Sequence, residues 1–591
     1  MRNPTLALPL PASPPATEET PTQRLDRLVH AGAAPLTGGL SPVSLSLALA
    51  DWAWHLAASP GRQLELAGLA SRLALEALRH PAGDNAEPAG NADDDPRFRD
   101  EAWARWPFSA LRSAFRQGET FWRDAARVPG MSAHHAEMTS FFARQWLATM
   151  APANWLPTNP VVLRDVVESR GTHLMQGALH WLADSTGVST PEDLAEAGRF
   201  VVGRDLALTP GKVVWRNRLV ELIRYAPQTP KVHPEPLLIV PSWIMKFYIL
   251  DLSPHNSMVR YLVGQGHTVY MVSWRNPVAS DHDLTMDDYL RLGVLDALRA
   301  VGAQSGAATP VHAMGYCLGG TLLAIAAAAL GRTGGVAGGE GLPPLASLTL
   351  LAAQTDFSEP GELGLFIDES QLGFLDDIAR GKGYLTGEQM AGSFQFLHSR
   401  DLVWTRRMRE YLMGEREQRS DLMAWNADTT RLPARMHHEY LTALYLHNAL
   451  ASSSYRVDGR AVSLADIRQP VFMVGTDRDH ISPWPSVYKL HHLCDAEITF
   501  ALASGGHNAG IISEPGHANR SYRIGCRPTG SAWIDHEDWV RQAERHEGSW
   551  WPAWQAWLAA RSSAPQRARP IPASAALCDA PGEYVLQRFK D

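Results

Sequence analysis

Apolar residues recur at intervals of three and four from Gln23 to Arg79, in LSLALADWAWHLAAS and GRQLELAGLASRLALEALRH, which predicts a helical hairpin over residues 23–79. Residues 1–22 carry many prolines and little apolar periodicity, the pattern of a disordered leader. The stretch HPAGDNAEPAGNADDDP, residues 80–96, is polar, acidic and rich in Gly and Pro, and reads as a linker. Helical periodicity then returns and continues, rich in tryptophan, over residues 97–200. Nothing up to that point alternates as a sheet strand does.

The pattern changes at Val201. Short β-branched runs now take turns with helical ones: PLLIV (236–240), TVYMVSW (268–274), PVHAMG (310–315), SLTLLAA (347–353), PVFMVG (470–475) and EITFALAS (497–504). Apolar runs separated by helices imply crossover connections, and hence a largely parallel sheet covered on both faces. That rhythm lapses after Asp356 into mostly helical sequence, which predicts a cap of residues 358–435 inserted between the two parts of a catalytic core, 201–357 and 436–558. Residues 559–591, rich in Ala, Pro, Arg and Ser, read as a tail.

Composition narrows the function classes. The 591 residues include 62 carboxylates against 54 Lys and Arg, a formal charge of −8 with no basic block, which argues against a nucleic-acid-binding surface. The longest plainly apolar stretch, Leu322 to Leu330, is about half of what a membrane-spanning helix needs, and the N-terminus lacks a signal-peptide pattern, so a cytoplasmic protein without a membrane span is expected. The four cysteines, Cys317, Cys494, Cys526 and Cys578, show neither a disulfide framework nor metal-ligand spacing, and no metal is expected. Tryptophan is in surplus, 20 against 16 Phe and 14 Tyr, with eight before residue 200 and four between Trp550 and Trp557. Such rings suit a core, an interface or an apolar surface alike.

The chemistry concentrates in VHAMGYCLGG (311–320). A strand ends at Gly315-Tyr316-Cys317-Leu318-Gly319 and an Ala- and Leu-rich helix begins, the nucleophile-elbow pattern of the α/β-hydrolase fold with Cys at the Ser position. Gly315 and Gly319 flank the nucleophile where side chains would collide with the neighbouring strand and helix. The helix N-terminus favours a thiolate, and the Leu318 backbone N–H is placed to donate to an oxyanion. The competing reading is a glycine-rich turn around a buried structural Cys. The elbow demands an acid after a later strand and a His after the last, and both occur. Asp477-Arg478-Asp479-His480 follows PVFMVG, and Gly506-His507-Asn508 follows EITFALAS. His507 would take the Cys317 proton and the acid would orient its imidazole. Asp477 and Asp479, two residues apart, compete for the acid role. His480 adjoins it as a supporting residue, His312 reads as a core histidine, and His491 and His492 lie in a helix.

A Cys nucleophile exchanges one thioester for another at little free-energy cost, which favours acyl transfer from an acyl-CoA over hydrolysis. A Cys-dependent thioesterase is the enzymatic alternative.

The chain resembles the polyhydroxyalkanoate synthases (poly-β-hydroxybutyrate polymerases) of the single-subunit class I type. Beyond GYCLGG, the resemblance rests on FVVGRDLALTPGKVVWRN (200–217), LLIVPSWIMKFYILDLSPHNSMVRYLVGQGHTVYMVSWRNP (237–277), DLMAWNADTTRLP (421–433), DRDHISPW (477–484), GGHNAGI (505–511) and GSWWPAWQAWL (548–558). DPRFRDEAW (95–103) and residues 36–67 resemble that family's N-terminal regions. The resemblance implies an α/β-hydrolase fold with a helical cap, preceded by an all-helical N-terminal region. It also implies an enzyme that joins (R)-3-hydroxyacyl units from CoA thioesters into polyester, short side chains preferred, with CoA as substrate and product carrier and no cofactor. Beside it stand a Cys-dependent thioesterase or polyester depolymerase of the same fold as the enzymatic alternative, and a catalytically silent granule-coating protein as the non-enzymatic one. Expected partners are the polymer and its granule surface, a second copy in a homodimer, and granule-coat proteins, with a cytoplasmic, granule-associated location. The family's nucleophile, acid and base fall on Cys317, Asp479 and His507, and Asp479 is then the acid, helping directly or through His507 to activate the 3-hydroxyl. Trp425 lies in the W-N-x-D-x-T motif as a supporting residue near the site or the dimer contact. His398-Ser399-Arg400 stands where many members have Arg-Pro-Asn, and Asn508 stands where Ile is usual, departures that bear on chain-length preference. A minimal catalytic unit needs only residues 201–558, so the tryptophan-rich N-terminal region is expected to meet a partner protomer or the polymer surface.

Overall fold

The computed structural model describes residues 20–79, 95–187, 198–386, 404–416 and 418–588. The expected leader and linker and the His398-Ser399-Arg400 segment lie largely or wholly outside them. The described residues divide into two compact units, one of helices between 34 and 198 together with 404–416, the other built on a sheet.

The run expected to form a hairpin forms three helices: Pro21–Thr37, most of which falls with the sheet unit, and Pro42–Ala57 and Pro60–Arg79, which fall in the helical unit. The extra break follows from Pro42 and Pro60, which open their helices where a missing N–H costs nothing. Ser41 caps the second by accepting from the Ser44 N–H. Helices Phe108–Ala125 and Ala133–Thr149 pack against Pro60–Arg79 and Pro42–Ala57, tied by the Trp52 indole N–H donating to the Ala125 carbonyl at 2.8 Å and by Asp51 accepting from His135 at 2.7 Å. Residues 404–416, expected within the cap, belong to this unit instead. The reason is close backbone packing: Gly177, in helix Thr172–Thr186, lies so near the Tyr411 carbonyl that a Cβ would approach its oxygen to 2.0 Å. Asp184 accepts from both the Tyr411 hydroxyl and Arg416.

The other unit is built on an eleven-stranded sheet. In chain order its strands are β1 (Gly211–Arg216), β2 (Val220–Tyr225), β3 (Leu237–Val240), β4 (Val269–Trp274), β5 (Val311–Tyr316), β6 (Leu345–Leu351), β7 (Val471–Thr476), β8 (Ile498–Ala503), β9 (Ser521–Arg527), β10 (Glu544–Glu547) and β11 (Cys578–Asp579). Their spatial order is β10-β9-β8-β7-β6-β5-β3-β4-β2-β1-β11. The stretch from β4 through β3, β5, β6 and β7 to β8 is parallel. These are the six apolar runs read from the sequence, and β3, β5, β7 and β8 are buried along their whole length, as parallel strands covered on both faces must be. The remaining strands pair antiparallel toward the edges, where polar residues break the apolar runs.

Helix Leu318–Gly331, which holds the long apolar stretch, is a buried core helix. Among the described residues no single helix is long and apolar enough to cross a membrane.

The residues read as a tail return to the sheet. Strand β11 pairs with β1, the buried Glu221 carboxylate accepts from the backbone N–H groups of Glu583 and Tyr584 at 3.0 Å, and the Lys246 ammonium donates to the Val585 carbonyl at 2.6 Å. Its composition hid this, because one short strand and one buried Val585 carry the contact.

Candidate active site

Cys317 ends strand β5 with φ 52° and ψ −125°, a strained conformation for a non-glycine residue, and the helix Leu318–Gly331 starts directly after it. The Leu351 carbonyl of β6 accepts the Cys317 N–H at 2.8 Å and the Cys317 carbonyl accepts from Gly320 and Thr321, so the turn is held at both ends. The flanking glycines are dictated by space. A Cβ at Gly315 would lie 2.3 Å from the Gly320 Cα, and one at Gly319 would lie 2.1 Å from the Val240 carbonyl oxygen. The Leu318 N–H opens the helix, where backbone donors have no partner within the helix. Cys317 itself is partly exposed and packs against the core clusters on both faces of the sheet.

The candidate acid and base, Asp479 and His507, follow the ends of β7 and β8. His507 Nδ1 and Asp479 Oδ2 are 2.7 Å apart, and Asp479 is fixed by the backbone N–H groups of Ile481 (2.9 Å) and Ser482 (2.8 Å) and by the Thr476 hydroxyl (3.2 Å). Its side chain is wholly buried. Burial alone would push the His507 imidazole down. The charges and hydrogen bonds of Asp479 and Cys317 outweigh it and hold the imidazole well above its ordinary 6.5. With Nδ1 engaged by Asp479, Nε2 is the nitrogen that faces Cys317.

Asp477, two residues away, instead accepts the Gly505 N–H at 2.7 Å and lies partly exposed, shaping the loop that carries His507. The His480 side chain points outward, while its carbonyl accepts from Glu362. Trp425 is buried and donates its indole N–H to the Lys246 carbonyl at 2.8 Å; with Thr430, which donates to the Ile244 carbonyl at 2.9 Å, it pins the return of the cap to the loop after β3. His312 is a satisfied core histidine between the Ser347 and Ser562 hydroxyls, and burial lowers it to about 4. His491 stacks on Tyr488, and His492 lies against Trp533. Cys494 is buried near the Ile467 carbonyl, Cys526 is exposed and Cys578 lies on β11.

Several neighbours of the site escape a reading by motif. Tyr440 donates to Tyr445 at 3.2 Å, and both phenols are raised by burial and by the charge of the nearby Cys317; Tyr445 raises Tyr440 further, while the hydrogen bond from Tyr440 offsets part of the rise at Tyr445. They stand five residues apart across a π-helical turn, Leu441–Leu446, where i and i+5 align; the α-helical period would have separated them. Trp550 and Trp551 donate their indole N–H groups to the Gly510 and Ile511 carbonyls at 3.0 and 2.9 Å, bracing the segment just after His507. Tyr316 donates to Asn508 Oδ1 at 2.6 Å, joining the residue before Cys317 to the residue after His507.

Comparison with known sequences agrees with this architecture. The family described as "Poly-beta-hydroxybutyrate polymerase (PhaC) N-terminus" matches residues 94–262, "Poly-beta-hydroxybutyrate polymerase N terminal" matches residues 20–62, and "alpha/beta hydrolase fold" matches residues 235–513. The chain is 38% identical over 506 residues to the poly(3-hydroxyalkanoate) polymerase of Methylorubrum extorquens, covering 84% of this chain and 81% of that one. It is 36% identical over 501 residues to the poly(3-hydroxyalkanoate) polymerase subunit PhaC of Cupriavidus necator, covering 83% of each. A Rhizobium etli subunit of the same name is 34% identical over 521 residues, covering 87% and 80%.

Proposed function

Because the chain belongs to the poly(3-hydroxyalkanoate) polymerase family and is an acyltransferase of the α/β-hydrolase fold, we propose that it joins (R)-3-hydroxyacyl units, delivered as CoA thioesters, through a Cys317-His507-Asp479 triad. The observation that supports this most is the 2.7 Å contact of His507 Nδ1 with the buried Asp479, with Cys317 near enough to help raise the imidazole.

In this reading His507 takes the Cys317 proton, and the thiolate attacks the thioester carbonyl. The developing oxyanion lies toward the Leu318 N–H at the helix start, where backbone donors cost no reorganisation. The tetrahedral adduct expels the CoA thiolate, which leaves with the proton from His507, and the acyl group is held as a thioester on Cys317. The 3-hydroxyl of a hydroxyacyl group then gives its proton to His507 and attacks an enzyme-held thioester, forming the new ester and freeing a thiolate. Asp479 serves this step by holding the imidazole in one tautomer. The thioester intermediate keeps the acyl group activated, which distinguishes transfer from hydrolysis.

Association with the polymer granule and with a second copy of the chain completes the proposal, and the helical N-terminal region is the part assigned to it. Deleting residues 1–195 is expected to weaken dimerisation, granule attachment or onset of polymerisation while leaving the triad intact; a truncated enzyme equal to the full chain in all three contradicts that role.

Incubation with (R)-3-hydroxybutyryl-CoA tests the reaction. CoA release accompanied by insoluble polymer is expected, whereas free hydroxy acid in an amount equal to CoA identifies a thioesterase. A series of 3-hydroxyacyl-CoA lengths, scored by CoA release and polymer weight, defines the preferred monomer.

A further inference from the structure

Tyr316 and Asn508 sit one residue before the nucleophile and one residue after the base. The Tyr316 side chain is buried, and its hydroxyl donates to Asn508 Oδ1 at 2.6 Å. Its ring also lies against the His507 imidazole, centroids 5.6 Å apart and planes 33° apart. Asn508 in turn anchors the loop, its carbonyl accepting from the Ile511 and Ile512 N–H groups at 3.1 and 2.9 Å. One tyrosine therefore touches both the face of the imidazole and the chain that carries it. Asp479 fixes a single ring nitrogen, which leaves rotation about that bond to be controlled from elsewhere.

We propose that Tyr316 and Asn508 form a positioning clamp for His507, a paired device in which the phenol requires the amide and the amide requires the phenol. A buried hydroxyl needs an acceptor, which an apolar side chain at position 508 could not supply. Asn508 is thus the counterpart of Tyr316, and the clamp sets how closely Nε2 approaches the Cys317 sulfur. The phenol is also raised well above its ordinary value by burial and by the charges of Cys317 and Asp479, so it keeps its proton and acts as a donor throughout the cycle.

This inference rests on the triad reading, and the two can fail separately. The test compares Tyr316→Phe, Asn508→Ile and the double variant in the full-length enzyme. The measurements are kcat and KM for CoA release from (R)-3-hydroxybutyryl-CoA, the rate of iodoacetamide alkylation of Cys317 at pH 7, and the thermal midpoint. Each single variant breaks the Tyr316–Asn508 hydrogen bond and is expected to lose about 5- to 100-fold in kcat, with KM within about twofold and slower alkylation. The double variant removes the same bond and is expected to lie within about threefold of the slower single variant, because the two residues act as one unit. If Asn508→Ile does not fold, Tyr316→Phe, which keeps the ring, carries the test alone. Single variants with parental kcat and alkylation overturn the clamp, as does a double variant that recovers the parental rate or whose loss is the product of the two single losses. A Cys317→Ala enzyme that still releases CoA overturns the triad itself.

Discussion

The two units put most of their tryptophans to different use, although Trp103 of the helical unit is fully buried and Trp533 of the sheet unit is half exposed. In the sheet unit, Trp550, Trp551 and Trp554 are at most 1% exposed, and their indole N–H groups are satisfied by Gly510, Ile511 and Thr349. In the helical unit, Trp54 and Trp106 are 76% and 68% exposed, and Trp146, Trp155 and Trp181 are more than half exposed. A large amphipathic ring inside a core can place its N–H as well as its bulk, and here two of those placements brace the segment that follows the His507 imidazole. At a surface the same ring need not do so and is free to meet something else. The tryptophan surplus is therefore two features, one that builds the site and one that faces outward.

The sharpest way to break this division is at the site. Asp479→Asn keeps the shape but lets His507 take the wrong tautomer, and about a 10⁴-fold fall in CoA release is expected with little change in fold. A loss below tenfold, measured beside circular dichroism, contradicts the role given to Asp479. Next in size is the buried ring: Trp554→Ala is expected to destabilise the protein by about 3–5 kcal/mol, read from chemical denaturation, because a fully enclosed indole leaves a cavity and an unpaired Thr349 hydroxyl.

Acid comes third. Burial lowers His267 to about 3 and His312 to about 4, so both stay neutral when folded and bind protons readily when unfolded. Stability is then lost as pH falls below about 6.5, by about 2 kcal/mol for each between pH 6.5 and 5. His507 has the opposite sign: its raised value favours the folded state below about 6.5 and loses that contribution as pH rises through the shifted value. A urea midpoint unchanged from pH 7 to pH 5 contradicts the burial argument for the first two. The smallest effect is expected at the exposed ring. Trp54→Ala should change stability by no more than about 0.5 kcal/mol while reducing granule attachment, and a large stability loss would erase the contrast between the units.

Much of the site is legible because the chemistry forces local spacing. The elbow needs glycine on either side of Cys317, and the order of strands puts the acid after β7 and the His after β8, so a single sequence suffices to find them. The sheet is legible where it is parallel, since burial on both faces leaves unbroken apolar runs. It is illegible at the edges, where β1, β2, β9, β10 and β11 mix polar residues into short antiparallel strands. Asp477 and Asp479 were inseparable by spacing alone because a period of two puts both on one side of an extended chain. In the structure, tertiary contacts separate them, one meeting His507 and the other the Gly505 N–H. The Tyr440–Tyr445 pair depends on a π-helical turn that apolar periodicity does not announce, and the return of residues 578–587 to the sheet depends on Glu221 and Lys246 far away in sequence.

The central claim is that the growing acyl group is carried as a thioester on Cys317. Rapid quenching of the enzyme with (R)-3-hydroxybutyryl-CoA, followed by proteolysis and mass spectrometry, tests it directly. The account predicts hydroxybutyryl groups on the peptide that contains Cys317, absent from Cys317→Ala. Release of CoA with polymer formation and no acyl group on that peptide, or polymer formation by Cys317→Ala, would contradict it.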